Sequence, residues 1–300
     1  MKYTLQSWKR DGKYFAFKNY KIFYRFAAKQ DAPTIFLIHG YPTSSFDWSK
    51  IWDELSEQYQ ILAIDLLGLG FSDKPNKHVY SVQDHAAQCV ALLEHLNLKR
   101  VHLIGHDLGA GILQELLHRQ QSQHLPFNIQ SAIFMNGSLF PEAYQPRFIQ
   151  KLMASSFGHL IGLLLNKRIF SKNMKQMFDV NHPPSDADLE QWYEQLNFND
   201  GKKCLVALNR SIFERFKHRE RLVAALMESQ IPMLLINGQN DPNSGTQMAK
   251  RYRELVPHPQ VVELTDCGHW TPWEKPEIVA REVLTFLSSA FMIQPAFETE

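Results

Sequence analysis

From Lys13 to Ala28 the chain alternates aromatic and polar residues (KYFAFKNYKIFYRFAA), the period-two pattern of a strand hairpin. Three short, unbroken apolar runs follow: Thr34–His39 (TIFLIH), Gln60–Leu66 (QILAIDL) and Val101–His106 (VHLIGH). Unbroken rather than alternating hydrophobicity marks strands buried on both faces, as in a parallel sheet covered by helices. Ser131–Met135, Met233–Asn237 and Val261–Thr265 repeat the signature further on. Asp47–Gln58 and Ser81–Leu96 lie between strands and read as helices, the latter with apolar residues near helical spacing. Strands alternating with helices predict an α/β fold with a doubly wound, mostly parallel sheet.

The rhythm breaks between about Ser138 and His218, where no strand-like run occurs. Helix-like pieces stand there instead, at Phe148–Met153, Leu160–Ile169, Asp186–Leu196 and Leu205–Phe216. Turn residues separate them at Asn181-His182-Pro183-Pro184 and Asn199-Asp200-Gly201. The stretch reads as a helical insertion between two strands of one sheet. After the last strand, Pro276 to Phe291 is amphipathic, and a loose tail follows.

Composition narrows the classes. Lys+Arg 32 against Asp+Glu 31 leaves a net charge of +1, which offers no bulk field for nucleic acid or an anionic membrane. The basic stretches NKRIFSKNMK (166–175) and RSIFERFKHRER (210–221) interleave charge with apolar residues and read as solvated helix faces. Three widely spaced cysteines, Cys89, Cys204 and Cys267, make neither a disulfide scaffold nor a zinc ribbon and fit a reducing, cytoplasmic setting. No secretory leader is visible, and no apolar run approaches the roughly 18 residues of a membrane span. The run His159–Leu165 (HLIGLLL) reads as pocket lining or core, with a lipase-like lid as the alternative. Thirteen dispersed histidines without H-E-x-x-H give no metal site. A monomer is the expectation, with a dimer through the insertion left open.

The chemistry concentrates at strand ends. Gly105-His106-Asp107-Leu108-Gly109 directly follows a buried strand and precedes a helix. It has the form of a nucleophile elbow, G-x-S-x-G, with Asp107 in the serine position. Taken alone, an aspartate capping the helix explains the motif equally well. Three further features favour the elbow. His39-Gly40-Tyr41-Pro42 ends another buried strand, so the Tyr41 and Leu108 backbone N–H groups could form an oxyanion hole. Gly238-Gln239-Asn240-Asp241 ends the strand from Met233, and Gly268-His269-Trp270 follows the final strand. Ligands bind at the carboxyl ends of parallel strands, and nucleophile, acid, histidine is the α/β-hydrolase order.

On these residues the chain resembles the α/β-hydrolase fold family from about residue 20 to 292. The matches are HGYP (39–42), DLLGLGFSDKP (65–75), GHDLG (105–109), GQNDP (238–242) and GHW (268–270). The aspartate elbow is similar to the epoxide hydrolase and haloalkane dehalogenase branch. HGYPTSSFDWSKIW and NGSLFPE look closest to the mesoderm-specific transcript group, which brings no established substrate. The resemblance implies an eight-stranded sheet, a core of residues 1–137 and 219–300, and a helical cap of 138–218 inserted after the sixth strand. It also implies a cis bond at Tyr41-Pro42.

At pH 7 an ordinary aspartate, with a pKa of about 3.9, is ionised and nucleophilic without a base. Attack on sp³ carbon gives an alkyl ester, whereas attack on an ester carbonyl gives an anhydride, so the reaction expected is alkyl displacement. His269, oriented by Asp241, would activate the water that hydrolyses the ester. No cofactor is required, and a small apolar organic molecule is the expected substrate. Dehalogenases of this branch carry Trp after the nucleophile and often Asn in the HGxP motif, where this chain has Leu108 and Tyr41. Epoxide hydrolases use two cap tyrosines. Tyr144 and Tyr193 are the candidates here, Ser211 aligns with the late one, and Trp192 joins Tyr41 as a pocket candidate. Epoxide hydrolysis is therefore expected ahead of dehalogenation. A non-catalytic binding protein on the same fold is the reading of another class.

Overall fold

A computed structural model describes residues 2–158, 162 and 164–293 of the chain. Parts of two expectations, the Leu160–Ile169 helix and the HLIGLLL run, lie outside the described residues, as does the tail beyond 293.

Eight strands form one sheet in the order β1-β2-β4-β3-β5-β6-β7-β8. β1 (Lys13–Phe17) and β2 (Tyr20–Ala27) make the antiparallel hairpin that the aromatic alternation predicts, and β2 runs antiparallel to β4 (Gln60–Ile64). From β4 onward every pairing is parallel, through β3 (Thr34–Ile38), β5 (Arg100–His106), β6 (Asn128–Met135), β7 (Met233–Gly238) and β8 (Gln260–Leu264). All residues of β3 and β7 are buried because helices cover both faces. Successive residues of β3 therefore enter different cores: Phe36 and Ile38 one, Ile35 and Leu37 the other.

The region expected as one helix at Asp47–Gln58 is split into a 3₁₀ helix Ser45–Lys50 and a short α-helix Trp52–Ser56. A short helix Leu5–Arg10, unmarked by the pattern, is tied in by Trp8, whose indole donates to Ser45 Oγ at 3.0 Å. Between β6 and β7 no strand occurs among the described residues. Among the described residues the α-helices there include Phe148–Ala154, Lys167–Lys175, Asp186–Asn197 and Leu205–Glu214, and Arg219–Met227 then packs on the helix that follows β5. Among the described residues of the Leu160–Ile169 expectation, Leu165 and Asn166 are not helical, and a separate helix begins at Lys167, where Asn166 Oδ1 accepts the Ile169 N–H at 3.0 Å.

The 210–221 stretch is not a solvated face. Arg210 donates to the Ala154 and Ser155 carbonyls, Arg219 pairs with Glu142, Arg221 pairs with Glu115, and Arg215 is buried. Arg210 ties two helices of the insertion, Arg221 ties two elements of the core, and Arg219 joins one to the other, uses that sequence spacing cannot distinguish from solvation. No helix among the described residues is long and apolar enough to cross a membrane.

Candidate active site

β5 ends at His106 and a helix starts at Leu108, leaving Asp107 at the turn with φ 49° and ψ −108°. Such a conformation is strained for a residue with a side chain and survives only where its surroundings enforce it. The glycines show that enforcement. A Cβ on Gly109 would stand 2.1 Å from the Ile38 carbonyl oxygen, and one on Gly105 would stand 2.7 Å from the Gly109 backbone. Gly109→Ala is therefore expected to destabilise the protein by about 2–4 kcal/mol, read as a lower denaturation midpoint. An unchanged midpoint would mean that the elbow relaxes freely.

Asp107 does not cap the helix with its side chain. Its Oδ2 instead accepts the Tyr41 N–H at 2.9 Å. That loop is fixed from below by His39, which donates through Nδ1 to the Gly40 carbonyl (2.7 Å) and accepts the Leu66 N–H on Nε2 (3.0 Å). Burial holds His39 neutral, with a pKa of about 3. The Tyr41–Pro42 bond is cis.

Asp241 and His269, on the loops after β7 and β8, meet at 2.8 Å between Oδ2 and Nδ1. Asp241 Oδ2 also accepts Asn136 Nδ2 at 2.9 Å and the Ser244 hydroxyl, while Oδ1 accepts the Asn243 N–H at 2.8 Å. Burial opposes the Asp241 charge, but His269 and these donors outweigh it and hold the carboxyl at about 2. Burial also opposes the imidazolium of His269; Asp241, and after it Asp107, overcome this and raise its pKa to about 9. Stability from the raised histidine is complete below its unfolded value of about 6.5 and is lost as pH climbs through about 9. That from the depressed Asp241 is complete above about 3.9 and is lost as pH falls through about 2.

Asp107 shifts upward because burial dominates, opposed by His269, the Tyr41 amide, Arg215 and the Leu108 amide. His269 Nε2 stands 3.9 Å from Asp107 Oδ1, beyond direct hydrogen-bond reach. Oδ2 is thus held by backbone, while Oδ1 faces the imidazole across a gap. His106, neutral through burial, fixes the histidine loop by donating from Nε2 to the His269 carbonyl at 2.9 Å.

Asp107, His269 and Tyr41 line a cavity of about 100 Å³ whose walls are largely apolar, with Met153, Phe170 and Met174 from the insertion. Tyr144 lines it as well. Its Oη accepts two amide donors, Gln150 Nε2 at 2.9 Å and Asn243 Nδ2 at 3.0 Å, so its own proton is uncommitted. Tyr41 Oη, by contrast, donates to the Leu205 carbonyl at 3.3 Å.

Two expected pocket residues are elsewhere. Trp192 is 1% exposed and packs against Phe178, Trp270 and Trp273, its indole donating to Asp47 Oδ1 at 3.1 Å. Tyr193 packs at a tilt against Phe170, and its Oη accepts from Lys202 Nζ at 2.8 Å, outside the cavity lining. Ser211, aligned with a late cap tyrosine, bonds the Leu208 carbonyl of its own helix. Trp270 lines the cavity, but its N–H is given to Asp47 Oδ2 at 3.2 Å. Sequence reasoning assigned no role to Asn136, Ser244 or Gln150. Only Asn136 carried a signal, as the residue just beyond a buried strand. No group of acidic, histidine and cysteine side chains suited to a metal occurs among the described residues.

This architecture is that of a hydrolase. Residues 33–276 match the alpha/beta hydrolase fold family, and the chain belongs to it. It is 35% identical to the mesoderm-specific transcript homolog protein of Homo sapiens, over 95% of this chain and 88% of that one. Epoxide hydrolase 1 of Caenorhabditis elegans is 25% identical, over 95% of this chain and 72% of its own. In fold the chain is similar to the haloalkane dehalogenase DbeA from Bradyrhizobium elkani, with a TM-score of 0.81 and 20% identity over 94% of this chain and 98% of that structure.

Proposed function

We propose that this hydrolase opens epoxides to vicinal diols through an alkyl ester on Asp107, and that residues 138–218 act as the lid of its site. The observation that carries the reading is the uncommitted phenolic proton of Tyr144 in the same cavity as the Asp107 carboxylate. Asp107 Oδ1 attacks an epoxide carbon, the C–O bond breaks, and the ring oxygen takes the Tyr144 proton. The product of that step is a hydroxyalkyl ester and a tyrosinate.

Esterification removes one of the carboxylates that sustain the His269 imidazolium, leaving Asp241 and Glu274, so its pKa falls, it gives its proton to solvent and it becomes a base. His269 then takes a proton from water, and the hydroxide adds to Asp107 Cγ. Negative charge gathers on Oδ2, which the Tyr41 amide holds at 2.9 Å, with the Leu108 amide also on this carboxyl group. Collapse expels the alcohol, regenerates the carboxylate and returns a proton to Tyr144. The net reaction is epoxide plus water to diol.

Dehalogenation has weaker support. Leu108 follows the nucleophile, and the Trp270 N–H is occupied by Asp47, so neither indole donor for a departing halide is present at these positions. Tyr144→Phe is expected to slow ester formation from styrene-type epoxides by about 10²-fold with little change in ester hydrolysis. Stopped-flow and product analysis read the two steps. Unchanged ring opening in this variant, or halide release from 1-bromoalkanes with no diol formed, would overturn the reading.

A further inference from the structure

Between Glu142 and Asp179 the chain has no aspartate or glutamate, yet Arg147, Lys151, Lys167, Arg168, Lys172 and Lys175 fall within that span. The balanced total of the whole chain hides this. At physiological ionic strength exposed charges act only within about 8 Å, so a local excess is what a partner meets. Lys167 pairs with Glu190 and Lys175 with Asp186. Among the described residues Arg147 donates to uncharged acceptors on Asn173 and Gln176, and the exposed Lys151, Arg168 and Lys172 have no carboxylate partner.

Apolar side chains stand among these cations. Phe148 is 79% exposed and Ile169 38%. Lys151 and Lys172 each follow one of them by three residues in the same helix, which places each pair on one face. Arg147, Phe148 and Ile149 line a surface groove together with Ile169, Lys172 and Asn173, and no acidic residue lines it. Arg147, Ile149 and Asn173 also line the cavity that holds Asp107 and His269, so the groove and the reactive cavity share a wall.

Exposed apolar groups beside cations match the boundary of an anionic bilayer, which offers phosphates to the cations and acyl chains to the phenyl ring. An acidic polypeptide answers the charge alone. The cavity behind the groove favours lipid as well, because its walls are largely apolar and molecules that fill it partition from water into a bilayer. We propose that this face of the insertion docks on an anionic lipid surface. Phe148 and Ile169 enter the headgroup boundary, Lys151, Arg168 and Lys172 meet lipid phosphates, and the groove is directed at the lipid. Docking is independent of which electrophile the cavity takes.

Cosedimentation of the full chain with vesicles tests this, using phosphatidylcholine alone and phosphatidylcholine with phosphatidylglycerol in equal parts. Binding is expected to the mixed vesicles, far less to the neutral ones, and to fall with added salt. Lys151→Gln with Lys172→Gln should weaken it by about 30-fold, and Phe148→Ser by about tenfold. Lys13 and Lys99 are exposed on the core, so Lys13→Gln with Lys99→Gln removes the same charge and should leave binding unchanged. Equal binding to both kinds of vesicle, or to neither, would overturn the proposal, as would a core pair that weakens binding as much as the insertion pair. All three native cysteines are buried, so an environment-sensitive fluorophore on Phe148→Cys reports that site. Its emission should shift to the blue on mixed vesicles, and that of the same fluorophore on Lys99→Cys should not. No shift from the first, or an equal shift from both, would mean that this face does not meet the lipid. Binding to polyglutamate or duplex DNA in place of vesicles, insensitive to Phe148→Ser, would assign the face to an acidic macromolecule and overturn the proposal.

Discussion

His269→Gln is expected to turn the enzyme into a stoichiometric trap, forming one covalent adduct per chain on the peptide that carries Asp107. Turnover should fall by about 10³-fold or more while the alkylation step survives, because the two steps place different demands on the site. Attack needs the carboxylate, whose Oδ2 is oriented by the Tyr41 amide, and the Tyr144 proton, neither of which His269 supplies. Hydrolysis needs a base beside Asp107 Cγ, and His269 Nε2, 3.9 Å from Oδ1, is the group in place. Glutamine keeps a polar side chain there but does not accept the proton of water. Intact-protein and peptide mass spectrometry read the adduct, and its mass gives the carbon skeleton of the substrate. No adduct from any epoxide or haloalkane, together with wild-type turnover in Asp107→Asn, would eliminate the covalent mechanism.

Asp107→Asn should abolish turnover, by about 10⁴-fold, and form no adduct. Two further changes follow from electrostatics. The variant is a neutral mimic of the ester, so the His269 midpoint, about 9 with Asp107 ionised, should drop. An unchanged midpoint would mean that esterification cannot switch the histidine to a base. The protein should also become more stable at neutral pH. Burial raises the Asp107 pKa above its unfolded value, so wild-type stability declines as pH rises from about 3.9 through the folded value. The stability gap to the Asn variant should therefore narrow as pH is lowered, measured by denaturant unfolding. A variant less stable than wild type at pH 7 would contradict this account.

Much of the site was legible because it hangs on the sheet. A strand buried on both faces is recognisable as an unbroken apolar run, and its carboxyl end follows from the run itself. Asp107, Tyr41, Asp241 and His269 stand just beyond four such runs, and the structure brings all four together. The insertion lacks that frame. On an amphipathic helix an aromatic residue can face a pocket or a core, and Trp192 went to the core because Asp47 accepts its indole. Tyr144 and Tyr193 are chemically identical. What separates them is Gln150 and Asn243 around one and Lys202 on the other.

The sequence by itself determined the α/β sheet, the helical insertion between β6 and β7, and the strand ends from which the reactive residues project. The tertiary structure decided which phenol keeps its proton uncommitted, that the Tyr41 amide holds Asp107 Oδ2, and that Arg215 is buried with no carboxylate partner among the described residues. Hydrophobic periodicity is a local property that survives in one dimension. Proton ownership and the balance of buried charge depend on groups far apart in the chain, and only the folded packing brings them within reach.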